Sequence, residues 1–234
     1  LAATGLNTPA ASSIATALRE NTALEHLDLS DNPVGSEGVA EIGEAVSKHP
    51  TLESIKIDGH ELPVSQLRGS SKTSDMVTSV DVTDWSLGEL SGYAIGTLLR
   101  SNRVLATFSL KHNAIGAEGI SAVVSGCGHA PLKAMDLTRT GLGGEAEEVR
   151  GAAPITPTRS APCALRRPCS VCAAHAAAHA AAPWRSRARH TQVLEALSVS
   201  ICRHLGLLVE LRMDENELSC TAGALAPLCK LRNL

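Results

Sequence analysis

Apolar residues recur along this chain in a short pattern, Leu-x-x-Leu-x-Leu-x-x-Asn-x-Leu, in which substitutions are common. The clearest copy has leucine at 24, 27 and 29, followed by Asn32 and Val34. A partial copy precedes it at positions 1, 4 and 6. Full copies begin at Leu24, Leu52, Val77, Leu105, Leu132 and Leu208, which lie 28, 25, 28, 27 and then 76 residues apart. A period of this length is typical of stacked repeats, which mostly serve recognition.

The spacing of apolar residues changes between the copies and the segments that join them. Within a copy the apolar positions alternate, which predicts a short strand with one buried face. Between copies the spacing becomes helical, over 8–20, 35–50 and 89–102. Strands that run in one direction and return through helices predict a parallel sheet with the helices outside it. The fold class is therefore α/β.

The ninth position of the pattern predicts a structural ladder. A buried asparagine amide both donates and accepts, so it can satisfy the backbone groups that are left over where a strand ends. Three copies keep this residue, as Asn32, Asn113 and Asn216. The other copies carry Thr4, His60, Trp85 and Thr140. We expect less regular turns in those copies, most of all at Trp85.

The pattern resembles leucine-rich repeat proteins of the ribonuclease-inhibitor type, and also the repeat regions of NOD-like receptors. The 27–28-residue spacing is similar, and the resemblance covers 1–148 and 193–234. Two stretches carry it most clearly: Asp31-Asn32-Pro33-Val34-Gly35-x-x-Gly38 and His112-Asn113-Ala114-Ile115-Gly116-x-x-Gly119. The resemblance implies a right-handed solenoid, or horseshoe, of about six to seven repeats. It also implies a concave face lined by the strands, a convex face lined by helices, and no enzymatic activity of its own.

In this family partners often dock on the concave strands, so the outward strand residues are the candidate binding residues. Those of the first three full copies are mainly acidic, which favours a protein partner with a basic surface. The candidate partner-binding residues are Glu25, Asp28, Asp31, Glu53, Lys56, Asp58, Asp81 and Asp84. In the later copies the outward residues are of mixed charge.

The 76-residue interval predicts a segment that does not belong to the repeats. From 149 to 192 the composition shifts to Ala, Pro and Arg, and the pattern disappears. Two explanations stand: a disordered surface insertion, which costs little entropy, or a gene-model artefact in which an intron is read as protein. The predicted organisation is therefore repeats at 1–148, the insertion at 149–192 and a continuation of the repeats at 193–234.

Composition narrows the partner class. The formal net charge is −3 and aromatic residues make up 2% of the chain. These values favour neither nucleic acid, nor an anionic membrane, nor an aromatic-lined site for a small-molecule substrate. The seven cysteines lack paired spacing, which favours reduced thiols and a cytoplasmic location. The start at Leu1, inside a copy, suggests a fragment of a longer protein.

The sequence contains no recognisable catalytic motif, and we predict no cofactor, no metal and no catalytic residue. Cysteine and histidine do cluster within 163–179, but two residues between the Cys and His pairs are too few for a zinc finger. The predicted function is a protein-interaction module. Two alternatives that share this repeat class stay open: a GTPase-activating regulator resembling the Ran GTPase-activating family, and an actin-end module resembling tropomodulins.

Overall fold

Each full copy of the pattern contains one short strand, the second copy also leads into an additional strand, and helices connect the copies. The computed structural model of the protein describes residues 1–69, 77–142, 195–216 and 228. The strands are β1 (His26–Asp28), β2 (Ser54–Lys56), β3 (Leu62–Pro63), β4 (Ser79–Asp81), β5 (Thr107–Ser109), β6 (Ala134–Asp136) and β7 (Glu210–Arg212). The helices are α1 (Thr8–Glu20), α2 (Gly35–Lys48), α3 (Val64–Arg68), α4 (Glu89–Leu99), α5 (Gly116–Gly126) and α6 at 195–204.

The predicted helices at 8–20, 35–50 and 89–102 are confirmed, although the second and third end at Lys48 and Leu99. Local signals explain the start of α1. The Asn7 side chain accepts a hydrogen bond from the Ala10 amide at 3.1 Å, and Pro9 occupies the first turn, where no amide donor is needed. These local signals fix the helix end, and the Thr8 hydroxyl adds a hydrogen bond to the Val34 carbonyl of the next copy at 2.9 Å.

The core lies between the strand layer and the helix layer. The middle residue of each strand points inward and is almost fully buried in β1, β2, β4, β5 and β6, whereas the flanking residues are more exposed. Helices α2, α4 and α5 bury the residues that face the strands, such as Ile42, Leu98 and Val123. Because each unit buries its apolar stripe against its neighbours, the hydrophobic effect favours stacking over an isolated unit.

Strands β4, β5, β6 and β7 form one parallel sheet. Val80 lies beside Phe108, and Phe108 lies beside Met135, so equivalent pattern positions are in register. Met135 then lies beside Leu211, which is 76 residues further along the chain. The pairing of β6 with β7 therefore keeps the repeat register across the long interval.

The predicted parallel strands are present, but the sheet is interrupted between the second and third copies. Strand β1 pairs with β2 in parallel, but β2 then pairs with β3 in antiparallel fashion, and β4 belongs to a different sheet. The physical reason lies in the shortened connection. Helix α3 has 5 residues, against 14 in α2 and 11 in α4. It begins directly after Pro63, and the Val64 amide bonds back to the Glu53 carbonyl at 2.9 Å.

The helix layer joins the two sheets where the strands do not. Helix α2 packs on α4 as well as on α1, and α4 packs on α5. A methyl group added at Gly43 of α2 would lie 3.1 Å from the Thr97 side chain of α4, which shows how closely these helices approach. The described repeats therefore stack as one body. The predicted curvature, handedness and number of repeats stay predictions.

Candidate functional site: the strand face and its turns

Asn113 is the most fully buried member of the predicted ladder, with 2% of its surface exposed. Its amide nitrogen donates to the carbonyl oxygens of Leu110 and Val82, both at 2.8 Å, and to that of Lys111 at 3.1 Å. Its amide oxygen accepts from the Leu87 backbone at 3.0 Å. Val82 and Leu87 belong to the preceding copy, so one side chain closes its own turn and ties it to the neighbouring copy.

The same geometry occurs at Asn32 and Asn216. Asn32 accepts from the amides of Thr4 and Leu6, both at 3.0 Å. Asn216 accepts from the Thr140 amide at 2.7 Å and donates to the Leu137 carbonyl at 2.6 Å. Each ladder asparagine therefore serves the turn of the copy before it, which in all three cases lacks its own asparagine.

The residue before the ninth pattern position adopts a left-handed backbone in every copy. These residues are Ala3, Asp31, Gly59, Asp84, His112, Arg139 and Glu215, with φ between 53° and 59°. This conformation is unfavourable for most residues, and only glycine adopts it freely. Repetition of the same costly geometry shows that the stack, and not local preference, sets the turn.

Less regular turns are expected at Thr4, His60, Trp85 and Thr140. The turns at Thr4, Trp85 and Thr140 do differ from those at Asn32 and Asn113, whereas the residue after His60 does not have positive φ. In those three turns the residue after the ninth pattern position also has positive φ: Gly5 at 73°, Ser86 at 54° and Gly141 at 78°. After Asn32 and Asn113 the second positive φ comes three residues later, at a glycine that begins a helix. Ser86 alone among the three lacks the freedom of glycine, which makes the Trp85 turn the most strained.

A second ladder at the helix exits was missed by the sequence reasoning. The Asn21 side chain accepts from the amides of Ala23 and Leu24 at 2.8 Å, and Asn102 accepts from the equivalent pair in its own copy at 2.9 Å. His49 takes this place in the second copy, where Nδ1 accepts from the Leu52 amide at 3.1 Å. The signal is a polar residue three positions before the first leucine of a copy.

Burial affects the protonation of His49. It is 2% exposed, and this desolvation lowers its pKa below the ordinary value, with the Arg68 charge adding to the effect. Arg68 in turn donates to the His49 carbonyl at 2.7 Å and so caps the end of α2. Neutral His49 is therefore the form that fits the structure.

The candidate partner-binding residues fall on two different sheets. Glu25, Asp28 and Asp31 are exposed around β1, and Glu53 and Lys56 belong to the β2 copy. Asp28 and Lys56 are register partners on neighbouring parallel strands, so a cation lies beside this carboxylate. Asp81 and Asp84 are exposed in the β4 copy, on the second sheet.

Asp58 lies apart from the other candidate residues. Its carboxylate accepts a hydrogen bond from the Ser91 hydroxyl of α4, and its Oδ2 lies close to Gly88, the residue before that helix. A carboxylate at a helix N-terminus is favoured by the helix dipole. The structure therefore places Asp58 at a contact between copies, unlike the other candidate residues, and its role in partner binding stays a prediction.

Asp28, Asp81 and Asp136 share one motif. In each, the Oδ1 atom accepts from the amide and the hydroxyl of a serine or threonine two residues later, at 2.5–3.0 Å. These hydrogen bonds lower the pKa of Asp28 and of Asp81 below the ordinary value. The two carboxylates are therefore ionised at neutral pH and held in fixed positions.

A shallow trough crosses the outward face of β4 to β7. Its volume is about 230 Å³. One row of its lining consists of Ser79, Thr107, Ala134 and Glu210, and the neighbouring row consists of Asp81, Ser109, Asp136 and Arg212. Three of the four residues in the first row are small, which leaves room above the strands.

Within 1–69, 77–142 and 195–216, no group of three or more His, Cys, Asp or Glu side chains could hold a metal ion. Cys127 is buried, which raises the pKa of its thiol to about 12 and leaves it protonated and unreactive. The cysteine and histidine cluster of 163–179 lies outside the described residues. No helix in the described part is long and apolar enough to cross a membrane.

Comparisons with known proteins agree with the repeat interpretation. A family model described as "Leucine Rich repeat" matches residues 20–43 and 101–124. These stretches run from β1 into α2 and from the end of α4 through β5 into α5, and they contain Asn32 and Asn113. The chain therefore contains leucine-rich repeats in these two stretches.

No curated protein matches the sequence. Among solved structures 44 chains match. One of them is a tropomodulin C-terminal domain from Caenorhabditis elegans, which is 10% identical. The match covers 94% of this chain and 90% of that one, with a TM-score of 0.38. This score is too low for the likeness to bear on fold or function.

Proposed function

We propose that this protein is a non-enzymatic protein-interaction module that binds a protein partner on its strand face. In this proposal the stacked copies form a curved solenoid and the strands line its inner surface. The single observation that carries the proposal is the open face of β4 to β7, where polar and small side chains border a trough on a sheet that is tied together copy by copy.

Rigidity supports this function. The asparagine ladder and the repeated left-handed turns fix the strand ends, and the Asp motifs fix side chains on the face itself. A surface that is ordered before binding loses little conformational entropy when a partner docks. The same rigidity suits recognition better than a catalytic cycle that needs a moving element.

We centre the proposed acidic binding surface on β4 to β7 and not on β1 and β2. Of the eight candidate residues, Asp58 belongs to the contact with α4 and Asp28 has Lys56 beside it. The partner with a basic surface stays a proposal, and the face of β4 to β7 supports it better than the face of β1 and β2 does.

The test is affinity capture from the source cells with the full chain, followed by mass spectrometry. Ala134→Arg places a large side chain on the strand face, and Ser125→Arg places the same side chain on the exposed surface of α5. A partner that is retained by the native chain and by Ser125→Arg, and lost with Ala134→Arg, would support the proposal. Equal capture by both variants would place the binding surface elsewhere and overturn it.

The two alternatives each have their own assay. A GTPase-activating regulator would accelerate GTP hydrolysis by its cognate GTPase, and an actin-end module would slow filament growth. No feature of the described residues favours either one. The cytoplasmic location stays a prediction, and fractionation of the source cells would test it.

A further inference from the structure

The trough across β4 to β7 has the size of a subsite for a single side chain. At about 230 Å³ it is smaller than the roughly 300–1,000 Å³ typical of small-molecule pockets. It is also open along the sheet, so an extended segment can cross it. These two properties favour a side chain delivered by a protein over a free metabolite.

The charges of the lining favour a cation. It contains the carboxylates of Asp81, Asp136 and Glu210 and one guanidinium, that of Arg212, which gives a net charge of −2. Arg212 is already paired with Glu210, with Nε 2.7 Å from Oε1. Asp81 and Asp136 remain. Arg212 is the register partner of Asp136, but no described lysine or arginine forms an ion pair with either carboxylate.

Asp81 and Asp136 are well spaced to flank one cation. They lie in the same row of the sheet with Ser109 on the strand between them, so their backbones are about 10 Å apart. The hydroxyl and amide of Thr83 hold one carboxylate, and those of Thr138 hold the other. A guanidinium or ammonium group above Ser109 would meet two carboxylates that are already oriented, which limits the entropy lost on binding.

We propose that the trough binds one arginine or lysine side chain of an extended segment in a protein partner, with the charged group between Asp81 and Asp136. This rests on the proposed function and names the chemistry of its binding site. The face of β1 and β2 lacks this arrangement, because Lys56 lies beside Asp28 where Ser109 lies beside Asp81, and no described third parallel strand in that sheet carries a second carboxylate.

The test is a titration of the ¹⁵N-labelled full chain with a nine-residue Gly/Ser peptide that carries one central arginine, followed by NMR. The same peptide with citrulline is the neutral control. We expect saturable shifts of the β4 to β6 amides with arginine, and at least about fivefold weaker binding with citrulline, as expected for two partly exposed ion pairs.

Matched variants locate the site. Asp81→Asn combined with Asp136→Asn removes both charges, and the amide oxygens can still accept from Thr83 and Thr138. This double variant should bind the arginine peptide about fivefold more weakly. Asp28→Asn makes the same change in the same motif on the other sheet, and binding should be unchanged.

Three results would each overturn the inference: equal binding of the arginine and citrulline peptides, shifts confined to β1 and β2, or no saturable shift with arginine. Its failure is distinguishable from failure of the proposed function. If Ala134→Arg abolishes capture of a cellular partner while the peptide titration is negative, the strand face binds a protein by other means. If capture is also unaffected, both proposals fail.

Discussion

Two irregular intervals lie in this molecule, and the structure accommodates them in opposite ways. The second and third copies start 25 residues apart, only a few residues fewer than the usual interval, and the sheet is interrupted there. The last two copies start 76 residues apart, yet β6 and β7 pair in the repeat register. Fewer residues disturb this architecture more than additional residues do.

The two intervals have different effects on the sheet because they differ in the helix that each contains. Between β2 and β4 the helix α3 has 5 residues, so α2 contacts α4 directly and the chain folds back as β3. Before β7 the helix α6 is present, and Leu197 and Ile201 are buried against the core. Added chain costs only a slowly rising loop entropy. Where the connection is short, α2 and α4 become direct neighbours and the strands of the second and third copies no longer belong to one sheet.

The largest expected effect is on the free energy of unfolding, and it should differ between the ladder asparagines Asn113 and Asn32. Asn113→Ala should lower the free energy of unfolding by about 3–4 kcal/mol, because several buried backbone groups lose their partner at once. Asn32→Ala should cost only about 1 kcal/mol, because water can reach the partly exposed turn at Leu1 and Thr4. Urea unfolding of both variants against the native chain measures the difference.

This prediction carries its own internal check. Both asparagines donate three hydrogen bonds through the amide nitrogen, and Asn32 accepts more of them than Asn113 does. A smaller loss at Asn32 would therefore reflect its greater exposure and not a smaller number of hydrogen bonds. Equal losses of stability in the two variants would show that burial does not determine how much a ladder asparagine stabilises the fold.

The next effect concerns the junction between the two sheets. Gly59 has φ of 59°, and a methyl group there would overlap the carbonyl oxygens of Trp85 and Ser86 in the next copy. Gly59→Ala should therefore cost about 2–3 kcal/mol, although the residue is exposed. Thermal and urea unfolding would measure this loss.

Two glycines serve as matched controls for Gly59. Gly116 has φ of 71°, and a methyl group added there would meet open space, so Gly116→Ala isolates the backbone cost of about 1 kcal/mol. Gly206 also has open space and no positive φ, so Gly206→Ala should change stability by less than about 0.5 kcal/mol. If Gly59→Ala costs no more than Gly116→Ala, the turn contact between copies is not rigid.

Much of the fold could be predicted from the sequence, because pattern positions map directly onto strand interiors and turns. Leu27, Phe108 and Met135 are buried at matching places, and Asn113 bonds across copies as its chemistry suggests. The interruption after β2 could not be predicted. Leu62 fits the apolar pattern equally well in a fold-back strand, so its position does not reveal the short helix that follows.

The candidate site was only partly predictable for a related reason. A strand pattern shows which residues point outward, but not what lies beside them on other copies. Lys56 beside Asp28 and Ser91 beneath Asp58 depend on register and on helix placement. The close approach of α4 and α5, where a methyl group at Gly126 would overlap Gly96, is likewise a property of the stack.

The long interval gives a smaller effect of opposite sign. Removal of 149–192 shortens the connection by 44 residues and should raise the free energy of unfolding by about 1.5 kcal/mol through loop entropy alone. Asn216→Ala should cost the same in the long and short chains, because Asn216 bonds to Thr140 and Leu137. Urea unfolding of the long and shortened chains, each with and without Asn216→Ala, would measure these changes.

The opposite result would show that 149–192 contributes to the fold. A shortened chain that is less stable, or that fails to fold, would contradict the view of this interval as an addition to the repeats. Sequencing the transcript across Glu148 and Val193 separates the two explanations. A message without the segment would make the shortened chain the natural protein.

The smallest expected effect is on the pH dependence of stability, and it concerns His49, which takes the place of asparagine in the helix-exit ladder. Burial lowers the pKa of His49, so the unfolded chain takes up a proton near pH 6.5 while the folded chain resists it. Stability should therefore fall as pH drops below about 6.5. His49→Asn introduces the residue that Asn21 and Asn102 already provide, and it should reduce this fall between about pH 7 and 5. His129→Asn, at an exposed position, is the control. Urea unfolding at both pH values measures the change, and an unaltered pH dependence in His49→Asn would show that His49 is readily protonated in place.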